Sequence, residues 1–134
     1  MADGPPAPLQ QTLPAVPESV PALRGALMEF ARRAGASPPV LEQIRLAVSE
    51  AVTNVVIHAY VGAPEPGPVR VAAHVEDATV EVVVADEGRG MVPRLDSPGL
   101  GLGLALIAHA ADNLDVHDGD PAGTQLRMTF SLGG

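Results

Sequence analysis

Residues 50–60 read Glu50-Ala51-Val52-Thr53-Asn54-Val55-Val56-Ile57-His58-Ala59-Tyr60, and the spacing of their polar members decides how the rest of the chain is read. Glu50, Asn54 and His58 stand four residues apart, the interval that stacks side chains along one stripe of an α-helix. Leu41, Ile44, Ala47, Val48, Ala51, Val52 and Val55 recur with helical period beside that stripe. Ser37-Pro38 supplies an N-cap residue followed by proline at the first helical position, so the spacing predicts one helix over residues 38–58. A carboxylate, an amide and an imidazole at the edge of an apolar stripe suit a hard metal ion beside a proton acceptor. Magnesium prefers oxygen ligands and keeps several waters, so one amide oxygen plus phosphate oxygens is enough. The same ladder also reads as a solvated helix face with local contacts along it. One histidine and one carboxylate are too few for zinc.

Working outward, Val20, Leu23, Leu27, Phe30 and Ala34 mark an amphipathic helix over residues 17–34, closed by Gly35. Residues 9–13 form a short strand, at an edge because Pro14 cannot continue a ladder. Residues 1–7 read as a disordered tail, which leaves residues 8–134 as one domain. Downstream, residues 62–68 hold three prolines and form a loop. Residues 69–76 and 79–86 are rich in valine and flank Asp77-Ala78, the pattern of a hairpin. Residues 104–114 read as a helix, 114–117 as a short strand, 119–123 as a turn and 124–132 as a last strand. The order β-α-α-β-β-α-β-β predicts an α+β two-layer sandwich, its mixed sheet mostly antiparallel and its helices on one face.

Composition removes whole classes of chemistry. All eight basic residues are arginine, so no Walker A loop, Schiff-base lysine or lysine base exists. There is no cysteine, which excludes disulfides, thiolate metal sites and thiol nucleophiles. A net charge of −8 and 2% aromatic residues argue against direct binding of nucleic acid. No apolar run reaches the ~18 residues of a membrane span, and the first residues lack the basic and apolar regions of a signal peptide. A cytoplasmic protein with no membrane attachment is expected.

Two further segments carry chemistry. In Asp86-Glu87-Gly88-Arg89-Gly90-Met91, a strand delivers an aspartate to its end and two glycines let backbone approach a flat ligand. Asp86 is thereby a candidate acceptor for the exocyclic amine of adenine, although an ordinary Asp-Glu-Gly turn has the same sequence. In Gly99-Leu100-Gly101-Leu102-Gly103-Leu104, glycines lead into a helix. Exposed amides and the helix dipole there make a phosphate cradle without lysine, or else a flexible hinge. Gly123-Thr124 at the start of the last strand is a minor fourth element.

Taken in order, these segments resemble the ATP-binding domain shared by gyrase, heat-shock chaperones, histidine kinases and mismatch-repair ATPases, the Bergerat-type fold. Within that group, Asn54-Val55-Val56-Ile57-His58-Ala59-Tyr60 resembles the RsbW-type anti-sigma factor serine/threonine kinases, and the likeness extends over residues 9–132. The resemblance implies ATP and magnesium as cofactors, with Asn54 as the metal ligand and Glu50 as the catalytic general base. It implies that Asp86 reads the adenine amino group, and that Gly88, Gly90 and Met91 line the base pocket. His58 belongs to the nucleotide-binding set, as do Gly99, Gly101, Leu102 and Gly103 beside the phosphates and Thr124 beside the adenine.

The resemblance also implies a homodimer with two partners, an anti-anti-sigma factor that accepts phosphate and a sigma factor that is sequestered. Two departures stand out. Residues 92–98 form a short lid, and Pro98-Gly99-Leu100 occupies the place where relatives carry an arginine before the glycines. Arg89 and Arg94 are the nearest cations in sequence. A histidine kinase needs a phospho-acceptor histidine on an upstream helix, and none of residues 1–57 is histidine. The alternative function is a regulatory module that holds ATP and its partners without transferring phosphate. Glu50 separates the two readings, because a binding module has no use for a base.

Overall fold

The hydrophobic periods build three helices and five strands in a computed structural model that describes residues 4–88, 100–119 and 122–133, without the side chains of residues 100–102. The elements are β1 (Leu9–Pro14), α1 (Ser19–Ala34), α2 (Pro38–Asn54), a π-helical turn (Val55–Ala59), β2 (Pro68–Glu76), β3 (Thr79–Asp86), α3 (Leu100–Ala110), β4 (Asn113–Asp118) and β5 (Thr124–Ser131). This is the element order expected from the sequence. The strands form one sheet in the order β1-β2-β3-β5-β4. Every pairing is antiparallel. The proline-ended strand β1 lies at one edge and β4 at the other, so β3 and β5 are held from both sides.

Alternation divides the sheet into two faces. Val69, Val71 and Ala73 of β2, Val80, Val82 and Val84 of β3, and Leu126, Met128 and Phe130 of β5 are buried under the helices. The opposite face is polar, with Glu81 paired to His74 at 3.7 Å and to Arg127 at 3.8 Å. The β2–β3 hairpin turns at Asp77 and Ala78, both at positive φ (52° and 62°), the conformation of a type I′ turn whose twist suits the strands. Leu23, Leu27, Phe30 and Ala31 fix α1 on the core, and Gly35 ends it in the left-handed region at φ 91°.

Three local expectations differ from what forms. Ser37 occupies the N-cap position of α2, yet its hydroxyl makes no capping bond and is buried without a partner among the described residues. Its backbone amide instead donates to Leu132 at 3.0 Å, tying the helix start to the end of β5. The second helix also keeps α-helical bonding only to Asn54, after which the chain widens into the π-helical turn. At the other helix entrance, α3 begins at Leu100, so Gly101 and Gly103 lie within its first turn rather than ahead of it. Among the described residues no helix is long and apolar enough to cross a membrane.

Helix α3 packs mainly on α2, and its fully buried Ile107 lies in that seam. Ile107→Ala should lower unfolding free energy by about 2–5 kcal/mol, read by urea denaturation, because it removes buried methyl groups and leaves a cavity.

Candidate functional site

The end of α2 places Asn54 in the interior at 5% exposure. Its amide nitrogen Nδ2 has no hydrogen-bond partner among the described residues. A buried amide without a partner costs about 1–3 kcal/mol, which marks the position as serving something other than stability. Which amide atom is oxygen and which nitrogen is an assignment, so the buried group offers either a donor or an oxygen ligand. Glu50 stands one helical turn earlier on the same stripe, half-buried.

Gly103 of α3 presses on this amide. A Cβ at residue 103 would stand 2.9 Å from Nδ2 and 3.3 Å from Oδ1 of Asn54. The first turn of α3, where helical amides are unsatisfied and the dipole is positive, is therefore seated against the metal-ligand candidate. Gly101 and Leu102 belong to that same turn. The glycine-rich helix start and the amide, read as separate signals in the sequence, come together at Gly103 and Asn54.

The base-reading candidates meet where β3 ends and β5 begins. Asp86 ends β3 and Thr124 begins β5, and both are buried, at 3% and 1% exposure. The register Ala85↔Gln125 continues to set Asp86 opposite Thr124 on the helix-facing side. Gly123 makes this closeness possible: it sits at φ 94°, and a Cβ there would lie 2.0 Å from the Asp86 carbonyl oxygen. Asp86 Oδ1 accepts the Gly88 N–H at 2.9 Å, an Asx turn that orients the carboxylate.

Gly88 was expected to bring backbone close to a flat ligand. Its close approach is first of all to the protein, since a Cβ would stand 2.0 Å from the carbonyl oxygen of Ala59 and 3.0 Å from Tyr60 Cδ1. Sequence reasoning gave Tyr60 no separate role. Its hydroxyl donates to the Pro68 carbonyl at 2.5 Å and accepts the Glu87 N–H at 2.9 Å, joining the end of the π-helical turn to β2 and to the turn after Asp86. Burial pushes the phenol above its ordinary pKa, against the Glu87 amide, which favours the phenolate. The hydroxyl therefore stays protonated through the neutral range. A lone tyrosine in a chain nearly without aromatics was the one available signal.

His58 falls inside the π-helical turn and is half-buried, so the α-helical spacing that relates Glu50 to Asn54 does not carry on to it. Gly90, Met91 and Gly99, together with Arg89 and Arg94, lie outside the described residues. Two cavities are not this site. One of about 510 Å³ between α2 and α3 is lined by Pro39, Glu42, Leu46, Ser49 and His109 among others, with none of the candidate residues. Another of about 300 Å³ touches Asp86 and Thr124, yet is otherwise lined by residues such as Arg70, Ala85 and Gln125 on the polar face of the sheet.

The donor set at Asn54 fits magnesium. Among the described residues no three His, Asp or Glu side chains gather to cage a metal, so a cation there would take the Asn54 oxygen and complete its shell with phosphate and water.

Comparison with known proteins shows the family and the fold. Residues 13–130 match the family model described as the histidine kinase-like ATPase domain. The serine-protein kinase RsbW of Staphylococcus epidermidis is 33% identical over 124 residues, which is 81% of this chain and 78% of that protein. The anti-sigma F factor of Pasteuria penetrans is 35% identical over 108 residues, covering 70% and 72% of the two chains. Among solved structures, the RsbU and RsbW domains of a Mycobacterium tuberculosis protein superpose with a TM-score of 0.75 at 29% identity. That match covers 96% of this chain but only 33% of the tuberculosis chain. The histidine kinase domain of a blue-light activated kinase from Erythrobacter litoralis shares the fold, with a TM-score of 0.60 at 22% identity.

The contact between Gly103 and Asn54 generates a prediction in which stability and binding part company. Gly103→Ala should change the melting temperature little, because alanine's helix advantage over glycine of about 1 kcal/mol is offset by the crowding its methyl group creates against the Asn54 side chain. Its methyl group must displace the Asn54 amide, so ATP affinity in the presence of magnesium, measured by calorimetric titration, should fall about tenfold or more.

Proposed function

The chain belongs to the histidine kinase-like ATPase domain family and, within it, to the RsbW-type serine-protein kinases, and from that premise we propose how its residues bind ATP and transfer phosphate. The observation that carries the reading is the seating of α3's first turn against the buried Asn54 amide, while Asp86 and Thr124 meet across β3 and β5. Adenine lies at the β3–β5 end, where Asp86 accepts a hydrogen bond from the exocyclic amine beside Thr124. Gly88, Gly90 and Met91 border the base. The phosphates lie against the amides of Gly99, Gly101, Leu102 and Gly103, and His58 flanks the nucleotide from the π-helical turn. Asn54 would hold magnesium, which would supply charge neutralisation at the phosphates.

Phosphoryl transfer asks a protein chiefly for positioning and charge stabilisation. Glu50 faces the region where an acceptor hydroxyl approaches. It takes the hydroxyl proton as the oxygen bonds to the γ-phosphorus and the bond from that phosphorus to the β,γ-bridging oxygen breaks, leaving ADP. The acceptor is a serine or threonine of a small anti-anti-sigma protein. The second partner is a sigma factor, as the name of the Pasteuria relative suggests for that protein. Residues 8–134 act as one domain, as a homodimer in the cytoplasm.

Glu50→Gln separates transfer from binding. A positioned base contributes about 10²–10⁴-fold in rate and little to ground-state affinity. The variant should bind ATP and sigma factor as the wild type does, with acceptor phosphorylation in a radiolabel assay reduced about a hundredfold or more. Transfer at the wild-type rate would remove Glu50 from the role of base. A wild type that binds ATP tightly and phosphorylates no cognate acceptor would instead make the protein a non-catalytic ATP-holding regulator.

A further inference from the structure

The β2–β3 ladder stops one pair too early. Its last register pair is Val69↔Asp86, and the next would be Pro68↔Glu87, with the Glu87 N–H donating to the Pro68 carbonyl. That bond is replaced by a relay. The Tyr60 hydroxyl sits between the two groups, accepting from Glu87 at 2.9 Å and donating to Pro68 at 2.5 Å. The phenol thus wedges the hairpin open directly after Asp86 while leaving neither backbone group unsatisfied.

Two glycines make the slot for the ring. A Cβ on Gly67 would stand 2.4 Å from Tyr60 Cε1, and one on Gly88 would stand 3.0 Å from Cδ1. Gly88 also rests on the Ala59 carbonyl, so the turn after Asp86 is braced against the π-helical turn by backbone and by side chain. The Glu87 N–H belongs to the peptide joining Asp86 to Glu87, and the Gly88 N–H holds Asp86 Oδ1 at 2.9 Å. The Gly88 N–H belongs to the next peptide, so holding the Glu87 N–H restrains the turn whose following amide orients the carboxylate.

We propose that Tyr60 is a positioning residue for adenine recognition, its hydroxyl relay between Glu87 and Pro68 setting the direction of the Asp86 carboxylate. The inference rests on the reading of Asp86 as the adenine acceptor. It also joins the two ends of the site, because the same short segment that starts at Asn54 ends at Tyr60.

The test compares ADP with inosine diphosphate, which carries an oxygen where adenine carries the amine. Calorimetric titration of the wild type should favour ADP by about tenfold or more. Tyr60→Phe keeps the ring in its slot and removes the relay. It should cut that preference about fivefold in a variant that stays folded at the titration temperature with a somewhat lower melting temperature, whereas a general loosening of the fold would weaken both nucleotides alike and leave the ratio intact. Asp86→Asn should abolish the preference. If Asp86→Asn abolishes it and Tyr60→Phe retains it in full, Asp86 reads adenine and the role given to Tyr60 is overturned. If Asp86→Asn retains it, the reading of Asp86 fails and the inference falls with it. Amide hydrogen exchange on the wild type adds a measurement that needs no variant to fold. The Glu87 amide should be protected although it lies past the ladder, and an unprotected amide overturns the relay.

Discussion

A buried side-chain amide pressed against a glycine backbone sets the geometry on which the rest of this molecule depends. Asn54 closes α2 inside the protein, and the first turn of α3 approaches it so closely that residue 103 has no room for a side chain. An amide nitrogen without a partner among the described residues is a cost to folding in such a place, and close packing would ordinarily remove it. Its retention makes sense if a ligand completes it. The sheet and the three helices that cover it hold the end of α2 against the start of α3.

The same device recurs where the other elements meet. Gly123 lets the start of β5 lie on the backbone of Asp86, and Gly88 lets the turn after Asp86 lie on the carbonyl of Ala59. Together with Gly103, these positions join α3 to α2, β5 to β3, and the π-helical turn to the end of β3. Each seam carries a residue of the proposed site: Asn54, Asp86 with Thr124, and Tyr60. Glycine in this protein is therefore less a source of mobility than a means of close approach. The polar face of the sheet stands apart from this arrangement, its charges paired among themselves across β2, β3 and β5.

Much of this was legible in the chain before any coordinates. The three- and four-residue steps from Val20 to Phe30 mark α1, and the valine runs around Asp77-Ala78 mark the hairpin, because burial imposes its period directly on the sequence. Glu50, Asn54 and Asp86 stood out as candidates because polar groups at the edge of an apolar pattern need a reason. The π-helical turn was not, since hydrophobic spacing does not distinguish one hydrogen-bonding pattern from another over five residues. Ser37 satisfied every rule for a cap, yet its hydroxyl makes no such bond while its amide is held by Leu132 from the far end of the chain. Tyr60 was invisible as a relay for a similar reason. Its partners lie 8 and 27 residues away and are backbone groups, which leave no mark on composition.

The central claim is that Asn54 holds the metal that binds the nucleotide's phosphates. Its most direct test is calorimetric titration of ATP into the wild type and Asn54→Ala, each with magnesium and with excess EDTA. The account predicts that magnesium strengthens ATP binding to the wild type and makes no difference to Asn54→Ala, which still binds the nucleotide weakly through its base. Magnesium strengthening ATP binding equally in both proteins would contradict it.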